Sequence, residues 1–289
     1  MRGGVAQIFT RKLCVTKSPI AHRMKIKILY EDKNVIVIDK PAMVAVHGDG
    51  RSKEKTISDW VLKTYPELEK VGEPMVVEYG GEKIEIKRPG IVHRLDKETS
   101  GALIIARNQR TFNFLKEQFQ NHKIKKIYRA FVYDFVKVPQ ASLGTGKRGI
   151  INAPIGRSPI DIRAWTAGRG AKAPLRDATT EYIVLKNFSD IAEEKPTAEH
   201  RFSYVEAYPK TGRTHQIRVH MRYINHPVVS DPIYRGAKEK ALGMDRLALH
   251  AYSVTFRLPN GDQKTVEAPL PADFKKVIKT YIDIPEIIR

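Results

Sequence analysis

The chain has 289 residues, with 51 Lys or Arg against 32 Asp or Glu and a formal net charge of +19. This excess of positive charge indicates a polyanionic partner, and the lack of a basic amphipathic helix favours nucleic acid over a membrane surface. No apolar run approaches the roughly 18 residues that a membrane span needs. The single cysteine, Cys14, excludes an internal disulfide framework and a cysteine-rich metal site, and it fits a reducing, cytoplasmic compartment.

The first 23 residues contain five Lys or Arg, no Asp or Glu and no clear apolar period. Such a segment is a basic arm, a transit-like peptide or translated leader upstream of the true start. We favour a disordered tail or a later start at Met24, and the lack of a secretory apolar region argues against export. The sequence therefore predicts a tail over residues 1–23 and one folded domain over residues 24–289.

Hydrophobic periodicity and turn residues predict the secondary structure along that domain. The first half is expected to contain a strand at 35–38, a helix at 56–65 that Thr56 caps, a loop or hairpin at 71–90, a buried strand at 102–106 and an amphipathic helix at 108–122. The second half is expected to contain strands at 127–133, 178–185, 202–208 and 247–256, with helices at 214–223, capped by Thr214, and at 271–283. Because strands and helices mix without strict alternation, we expect an α+β fold.

Residues 139–176 form the least structured stretch by sequence. They hold seven Lys or Arg against one acid, Asp161, together with many Gly and Pro. This composition is typical of a mobile basic segment that folds over a substrate, and equally of a solvated surface loop.

A polar loop over residues 93–101, with the sequence HRLDKETSG, lies between two apolar segments. A loop with this many charged groups between buried segments is costly unless those groups face a cleft. Catalytic residues concentrate on such loops. The loop is therefore the first candidate for an active site, with Asp96 at its centre.

This loop resembles the signature loop of the RluA family of pseudouridine synthases. Further stretches resemble the family's other motifs in the right order: 30–41 its opening strand, 126–130 its second motif, 211–220 its third, and 232–234 with 249–251 its closing motifs. Met43 and Ser230 stand where the family commonly has Gly. The resemblance covers residues 24 to 274. It implies a mixed, mainly antiparallel sheet flanked by helices, with the active-site cleft across the sheet. Family members often carry an N-terminal S4 RNA-binding domain, but we expect none here, because residues 1–23 are too few to form one.

The resemblance also implies roles for individual residues. It makes Asp96 catalytic, Tyr128 a contact of the target base and Arg218 the partner of Asp96. Burial penalises an ionised carboxylate, so a neighbouring cation such as Arg218 is expected. Residues that we expect to contact the substrate RNA are His93, Arg94, Thr99, Arg213, His215, Gln216 and Leu249.

Pseudouridine formation breaks the uridine C1′–N1 bond and joins C5 to C1′, so it needs neither metal nor cofactor. Asp96 acts either as nucleophile at C1′ or as base at C2′, and the sequence leaves both routes open. Tyr128 is expected to stack on uracil and to help remove the C5 proton. His215 and His220 are spaced poorly for shared metal ligation. We expect a monomer that acts on ribosomal or transfer RNA.

Two other functions compete with this prediction. A non-catalytic RNA-binding protein could keep the same fold, but the joint presence of Asp96, Tyr128 and Arg218 argues against it. A metal-dependent nuclease could use Asp96 and Glu98, but the sequence lacks a clustered set of carboxylates.

Overall fold

The computed structural model describes residues 24–137, 148–191 and 199–282. The predictions made for residues 1–23, including Cys14, and for residues 139–147 lie outside these ranges. No helix in the described ranges is long and apolar enough to cross a membrane.

The described residues form fourteen β-strands and four α-helices. The strands are β1 (Lys27–Glu31), β2 (Val35–Lys40), β3 (Met75–Tyr79), β4 (Glu82–Ile86), β5 (Ser100–Ala106), β6 (Lys125–Tyr133), β7 (Arg148–Asn152), β8 (Ile155–Arg157), β9 (Trp165–Ala167), β10 (Lys172–Arg176), β11 (Thr179–Ile191), β12 (Glu199–Pro209), β13 (Leu249–Arg257) and β14 (Gln263–Glu267). The helices are α1 (Ile57–Thr64), α2 (Gln109–Gln120), α3 (Gln216–Tyr223) and α4 (Ala272–Tyr281).

Nine strands form one mixed sheet in the order β1-β2-β5-β13-β6-β12-β11-β7, with β14 also paired to β13. Every neighbouring pair is antiparallel except β5 and β13, which run parallel over a short register, His250 opposite Ser100 and Ala251 opposite Gly101. β3 and β4 form a separate hairpin, and β8, β9 and β10 a three-stranded sheet. The α+β class and the mainly antiparallel mixed sheet are confirmed.

Residues 35–38 of β2 and 102–106 of β5 are continuous apolar runs, as expected for strands that are buried on both faces of the sheet. On β2, Val35 and Val37 pack in the same cluster as Phe112 of α2. The alternate residues Ile36 and Ile38 pack on the opposite side, in the cluster that contains α1. Burial on both faces therefore fixes β2, whose last residue, Lys40, bonds the loop that carries Asp96.

The first two helices begin at residues of types that favour the N-cap position, Thr56 and Asn108. Thr56 accepts a hydrogen bond from the Asp59 backbone N–H, and the Asp59 carboxylate accepts from the Thr56 N–H, so α1 begins with a capping box. Asn108 caps α2 with a single bond, which its side-chain oxygen accepts from the Thr111 N–H. The prediction that Thr214 caps α3 is wrong. The cap residue is His215, which has φ of +55° and makes no side-chain capping bond.

The prediction of little structure between residues 139 and 176 is wrong for the part that the structure describes. Residues 153–176, which we call the arm, contain β8, β9 and β10. The arm packs on α3. Gly168 lies so close to the ring of Tyr223, the last residue of α3, that an added Cβ would come within 2.9 Å of it. The Trp165 backbone N–H also donates to Tyr234 Oη at 2.9 Å. The arm is thus a small sheet docked beside the third motif.

Candidate active site

The Asp96 loop ends where β5 meets β13. Gly101 has φ of +115°, and a Cβ there would lie 2.2 Å from the Ala251 carbonyl oxygen, so only glycine allows the two strands to pair. Ser100 Oγ bonds His250 Nδ1 at 2.9 Å across the same junction. The junction holds Asp96 at the rim of a cavity of about 590 Å³, a volume within the range of ligand sites.

The structure brings all of the predicted site residues to this one cavity. Its lining includes His93, Arg94, Asp96, Thr99, Tyr128, Arg213, His215, Gln216, Arg218 and Leu249. These residues come from the Asp96 loop, β6, the segment before α3, α3 and the start of β13. The motifs recognised in the sequence therefore converge in space, although the role of each residue stays a prediction.

Arg218 lies fully buried on α3 and joins two carboxylates. Its Nε and Nη2 donate to the two oxygens of Asp231 at 2.8 and 2.9 Å. Its remaining Nη1 donates to Asp96 Oδ2 at 3.1 Å. The Tyr234 ring covers the guanidinium at 5.0 Å. The bidentate fork is thus used by Asp231, and Asp96 receives a single charge-assisted bond.

Lys40 ties the Asp96 loop to the end of β2. Its side chain is buried, and Nζ donates to the carbonyl oxygens of Pro41, Val44 and Lys97 at 2.8, 2.7 and 3.2 Å. Burial lowers the pKa of Lys40 to about 7, against the opposing effect of Asp96 and Glu98. The three carbonyl acceptors match the three donors of the ammonium form, so these contacts favour a structural role for Lys40 in holding the loop.

Tyr128 lies on β6, opposite Ala251 of β13. Burial, reinforced by the nearby negative charge of Asp96, raises the pKa of the Tyr128 phenol. A phenol that is held protonated is a poor acceptor for the C5 proton of uracil. The position suits the predicted stacking on a base, while the electrostatics disfavour the predicted proton transfer.

Two basic groups line the cavity near Tyr128. Lys126 lies two residues earlier on the same strand and donates to the Thr211 carbonyl oxygen at 3.1 Å. Burial lowers the pKa of Lys126 to about 8. His93 stacks on Phe119 with ring centroids 4.6 Å apart, and its Nε2 accepts from the Ile104 N–H at 2.9 Å. Burial, then Lys126, lowers the pKa of His93 to about 3, so its ring is neutral.

Three other predicted RNA contacts differ in exposure and in the hydrogen bonds that their side chains already make within the protein. Arg94 is exposed, and its Nη1 lies 3.3 Å from His47 Nε2. Arg213 donates from Nε to the Asp177 carbonyl oxygen. Gln216 is buried, and its amide bonds Thr211, Thr179, Thr180 and the Arg213 N–H. These bonds favour a structural role for Gln216, which fixes the segment before α3, over the predicted RNA contact.

The sequence prediction gave no role to three residues that the structure places at the site. Asp231 anchors Arg218, Lys40 holds the loop, and Tyr234 bonds His215 Nδ1 at 2.8 Å. Tyr234 is the last residue of the closing motif Pro232-Ile233-Tyr234, and Asp231 directly precedes it, so that motif was the available signal. Lys40 stood in the opening motif, but its contact with a loop 57 residues later is visible only in the fold.

Residues 34–223 match the sequence model of the RNA pseudouridylate synthase family, which is well over half of the chain. The chain belongs to this family. Its resemblance to the RluA family is confirmed by the named relatives. Ribosomal large subunit pseudouridine synthase D of Neisseria meningitidis serogroup B is 34% identical over 280 residues, covering 91% of this chain and 64% of that protein.

Another relative is the RNA pseudouridine synthase YlyB of Bacillus subtilis, described as uncharacterized, which is 34% identical over 90% of this chain and 74% of its own length. The chain thus spans about two thirds to three quarters of these relatives. Among solved structures, the human protein called RNA Pseudouridylate Synthase Domain Containing 1 aligns with a TM-score of 0.62 at 23% identity, over 86% of this chain and 84% of its own. At that identity the likeness supports the fold.

Proposed function

We propose that the protein is an RNA pseudouridine synthase that converts specific uridines into pseudouridine, with Asp96 as the essential residue. One observation carries the proposal: Asp96 is bonded to the buried Arg218 and shares a cavity with Tyr128. Three relatives are named ribosomal large subunit pseudouridine synthase D, which supports ribosomal RNA as the first substrate to test. Transfer RNA is the second.

The geometry supports a reaction within one flipped-out nucleotide. The target uridine leaves the RNA stack and enters the cavity, where Tyr128 covers the base. Asp96 then either bonds C1′ as the C1′–N1 bond breaks, or takes the C2′ proton as that bond breaks. The freed uracil turns and C5 bonds C1′. In the first route this breaks the Asp96–C1′ bond and releases the carboxylate, and in the second the proton returns to C2′. N1 takes up a proton, and the C5 proton leaves. Because the Tyr128 phenol is held protonated, a carboxylate or water receives this proton.

The test is tritium release from RNA that carries tritium at uracil C5. Purified protein is incubated with total RNA from cells that lack the gene, in parallel reactions with and without excess EDTA. We expect one tritium released to water per pseudouridine formed, with no change in RNA length. Shortened RNA and inhibition by EDTA would indicate a nuclease. Binding of RNA with neither result would indicate a non-catalytic RNA-binding protein.

A further inference from the structure

A chain of polar contacts runs from the arm to Asp96. The Trp165 backbone N–H donates to Tyr234 Oη at 2.9 Å, and the same oxygen bonds His215 Nδ1 at 2.8 Å. The far nitrogen, His215 Nε2, lies 4.0 Å from Asp96 Oδ1. Tyr234 is buried, and the ring of His215 is mostly so. Three segments distant in sequence thus meet end to end at the catalytic carboxylate.

The contacts fix the direction in which the protons point. Tyr234 Oη accepts the Trp165 N–H, so its own proton is the one available for His215 Nδ1. Burial raises the pKa of Tyr234 to about 12, so the phenol keeps that proton at neutral pH. Burial also lowers the pKa of His215, which favours a neutral ring. A neutral ring that accepts at Nδ1 carries its proton on Nε2, the atom that faces Asp96.

We infer that His215, with its tautomer set by Tyr234 and the Trp165 N–H, is a positioning residue that orients the Asp96 carboxylate by donating from Nε2 to Oδ1. Arg218 holds Oδ2, so the two donors define the plane of the carboxylate from both sides. The 4.0 Å gap is too long for a hydrogen bond, and it closes by about 1 Å when the nucleotide is bound. This inference rests on the proposed function.

The backbone of His215 supports a dedicated role. It adopts the left-handed conformation, with φ of +55°, at the first position before α3, and its side chain makes no capping bond. Left-handed backbone is costly for a residue other than glycine and persists where the surroundings require it. Here the ring bonds Tyr234 Oη through Nδ1, and its Nε2 lies 4.0 Å from Asp96 Oδ1.

The first experiment replaces the hydroxyl alone. Tyr234→Phe leaves neutral His215 free to carry its proton on Nδ1, which turns a lone pair towards Asp96. We expect kcat to fall about tenfold with KM little changed, since one aligned hydrogen bond is removed. Tyr65→Phe is the matched control, because that hydroxyl bonds Glu31 away from the cavity. Unchanged kcat in Tyr234→Phe would overturn the inference.

A double-mutant cycle separates this role from simple packing. In His215→Gln, the amide places an N–H near the position of Nε2 whether or not Tyr234 keeps its hydroxyl. We therefore expect partial activity in His215→Gln and no further loss when Tyr234→Phe is added. If Tyr234→Phe lowers kcat by the same factor in the His215→Gln background as in the wild type, the hydroxyl acts by supporting the arm, and the inference fails.

The pH profile provides a second readout. An imidazolium has a proton on both nitrogens, so it restores the Nε2 donor without Tyr234. The charged groups that act on His215 are Asp96, Arg218, Asp231 and Glu98, and Tyr234 bonds it directly. We expect the kcat of Tyr234→Phe, divided by that of the wild type, to rise as the pH falls through the pKa of His215, which burial holds below the ordinary value of about 6.5. A flat ratio would contradict the inference.

The tautomer can also be measured without turnover. In protein labelled with ¹⁵N-histidine, two-bond correlation spectra identify which ring nitrogen of His215 carries the proton, with His215→Gln providing the assignment. We expect the proton on Nε2 in the wild type. A proton on Nδ1 would overturn the inference even in an active enzyme. If instead the wild type forms no pseudouridine, the proposed function fails, and this spectrum still decides the tautomer.

Discussion

Arg218 serves two carboxylates that need it differently. Asp231 is fully buried and takes two of the guanidinium donors, while Asp96 lies at the cavity and takes one. A buried carboxylate without its cation is strongly unfavourable, and the bidentate geometry cannot be reproduced by a lysine. Loss of Arg218 should therefore lower the free energy of unfolding, because Asp231 loses its partner, and should also lower turnover, because Asp96 loses its cation.

Arg218→Ala is expected to lower the free energy of unfolding by roughly 3–5 kcal/mol and to abolish turnover. Arg218→Lys should recover part of the stability and little of the activity, because an ammonium group cannot reproduce the planar fork that bonds both oxygens of Asp231 while a third donor reaches Asp96. Urea denaturation and tritium release measure the two effects. Arg222→Ala, an exposed arginine one turn further along α3, is the control. Near-normal activity in Arg218→Ala would show that Asp96 depends on another cation.

Asp96→Asn is expected to abolish turnover while RNA binding survives. Asparagine keeps the shape of the side chain and can still accept from Arg218, but it cannot act as a nucleophile or a base. A residue in either role supplies several kcal/mol of barrier lowering, so less than about one thousandth of the wild-type rate should remain. A faster residual rate, measured together with an unchanged dissociation constant for RNA, would remove Asp96 from the mechanism.

At the scale of single residues, the sequence predicted the pair Asp96 and Arg218 but not what supports it. The pair lies within recognisable motifs, and the structure confirms their contact at 3.1 Å. The bonds of Lys40 to the loop carbonyls and of Asp231 to Arg218 depend on how β2 and the segment after α3 pack. Contacts of this kind are set by the tertiary fold, which local patterns do not encode.

At the scale of elements, long periodic segments were predicted well and the arm was not. Phe112 and Leu115 follow the helical spacing of α2 and are buried, as expected. The strands of the arm are only three to five residues long, and all of β10 is exposed. Such strands have neither the length nor the apolar alternation by which a strand is recognised. Their order comes from packing on α3 and from the bond between Trp165 and Tyr234.

The arm is expected to bind RNA phosphates. Arg157, Arg169 and Lys172 are exposed on it, whereas Arg163 already pairs with Asp161 at 2.8 Å. Replacing the first three by Gln should reduce the slope of log affinity against log salt by about one unit for each RNA phosphate that is no longer neutralised. The control replaces three exposed lysines of α4, which lies outside the cavity lining: Lys275, Lys276 and Lys279. Equal slopes for both triple variants would show that the arm makes no special contact with RNA.

The junction of β5 and β13 gives a prediction for the sheet. Gly101→Ala would place a Cβ 2.2 Å from the Ala251 carbonyl oxygen on a backbone of positive φ. We expect a loss of more than about 3 kcal/mol in the free energy of unfolding, together with loss of turnover, because the strands must separate beside the Asp96 loop. Gly170→Ala is the control, since nothing lies within 4 Å of its added Cβ. Similar stability of the two variants would contradict this explanation.

At the scale of the whole molecule, we expect the basic residues at positions 1–23 to affect RNA affinity without affecting the chemical step. The cavity takes all of its predicted residues from positions 93 to 249, and the family match spans residues 34–223. The basic residues at positions 1–23 belong to neither range. Their contribution should therefore be to general attraction for RNA, which is screened by salt, rather than to the chemical step.

Deleting residues 1–23 removes five Lys or Arg and no acid, so the formal charge falls from +19 to +14. We expect an unchanged melting temperature and an unchanged single-turnover rate at saturating protein. RNA affinity should weaken at low salt and converge with that of the full chain as salt rises, because the missing attraction is electrostatic. Replacing the same five basic residues by Gln in the full chain should reproduce the effect. The prediction would be contradicted if the deletion lost most of its single-turnover rate while the glutamine variant did not. Residues 1–23 would then contribute to catalysis by means other than their charge.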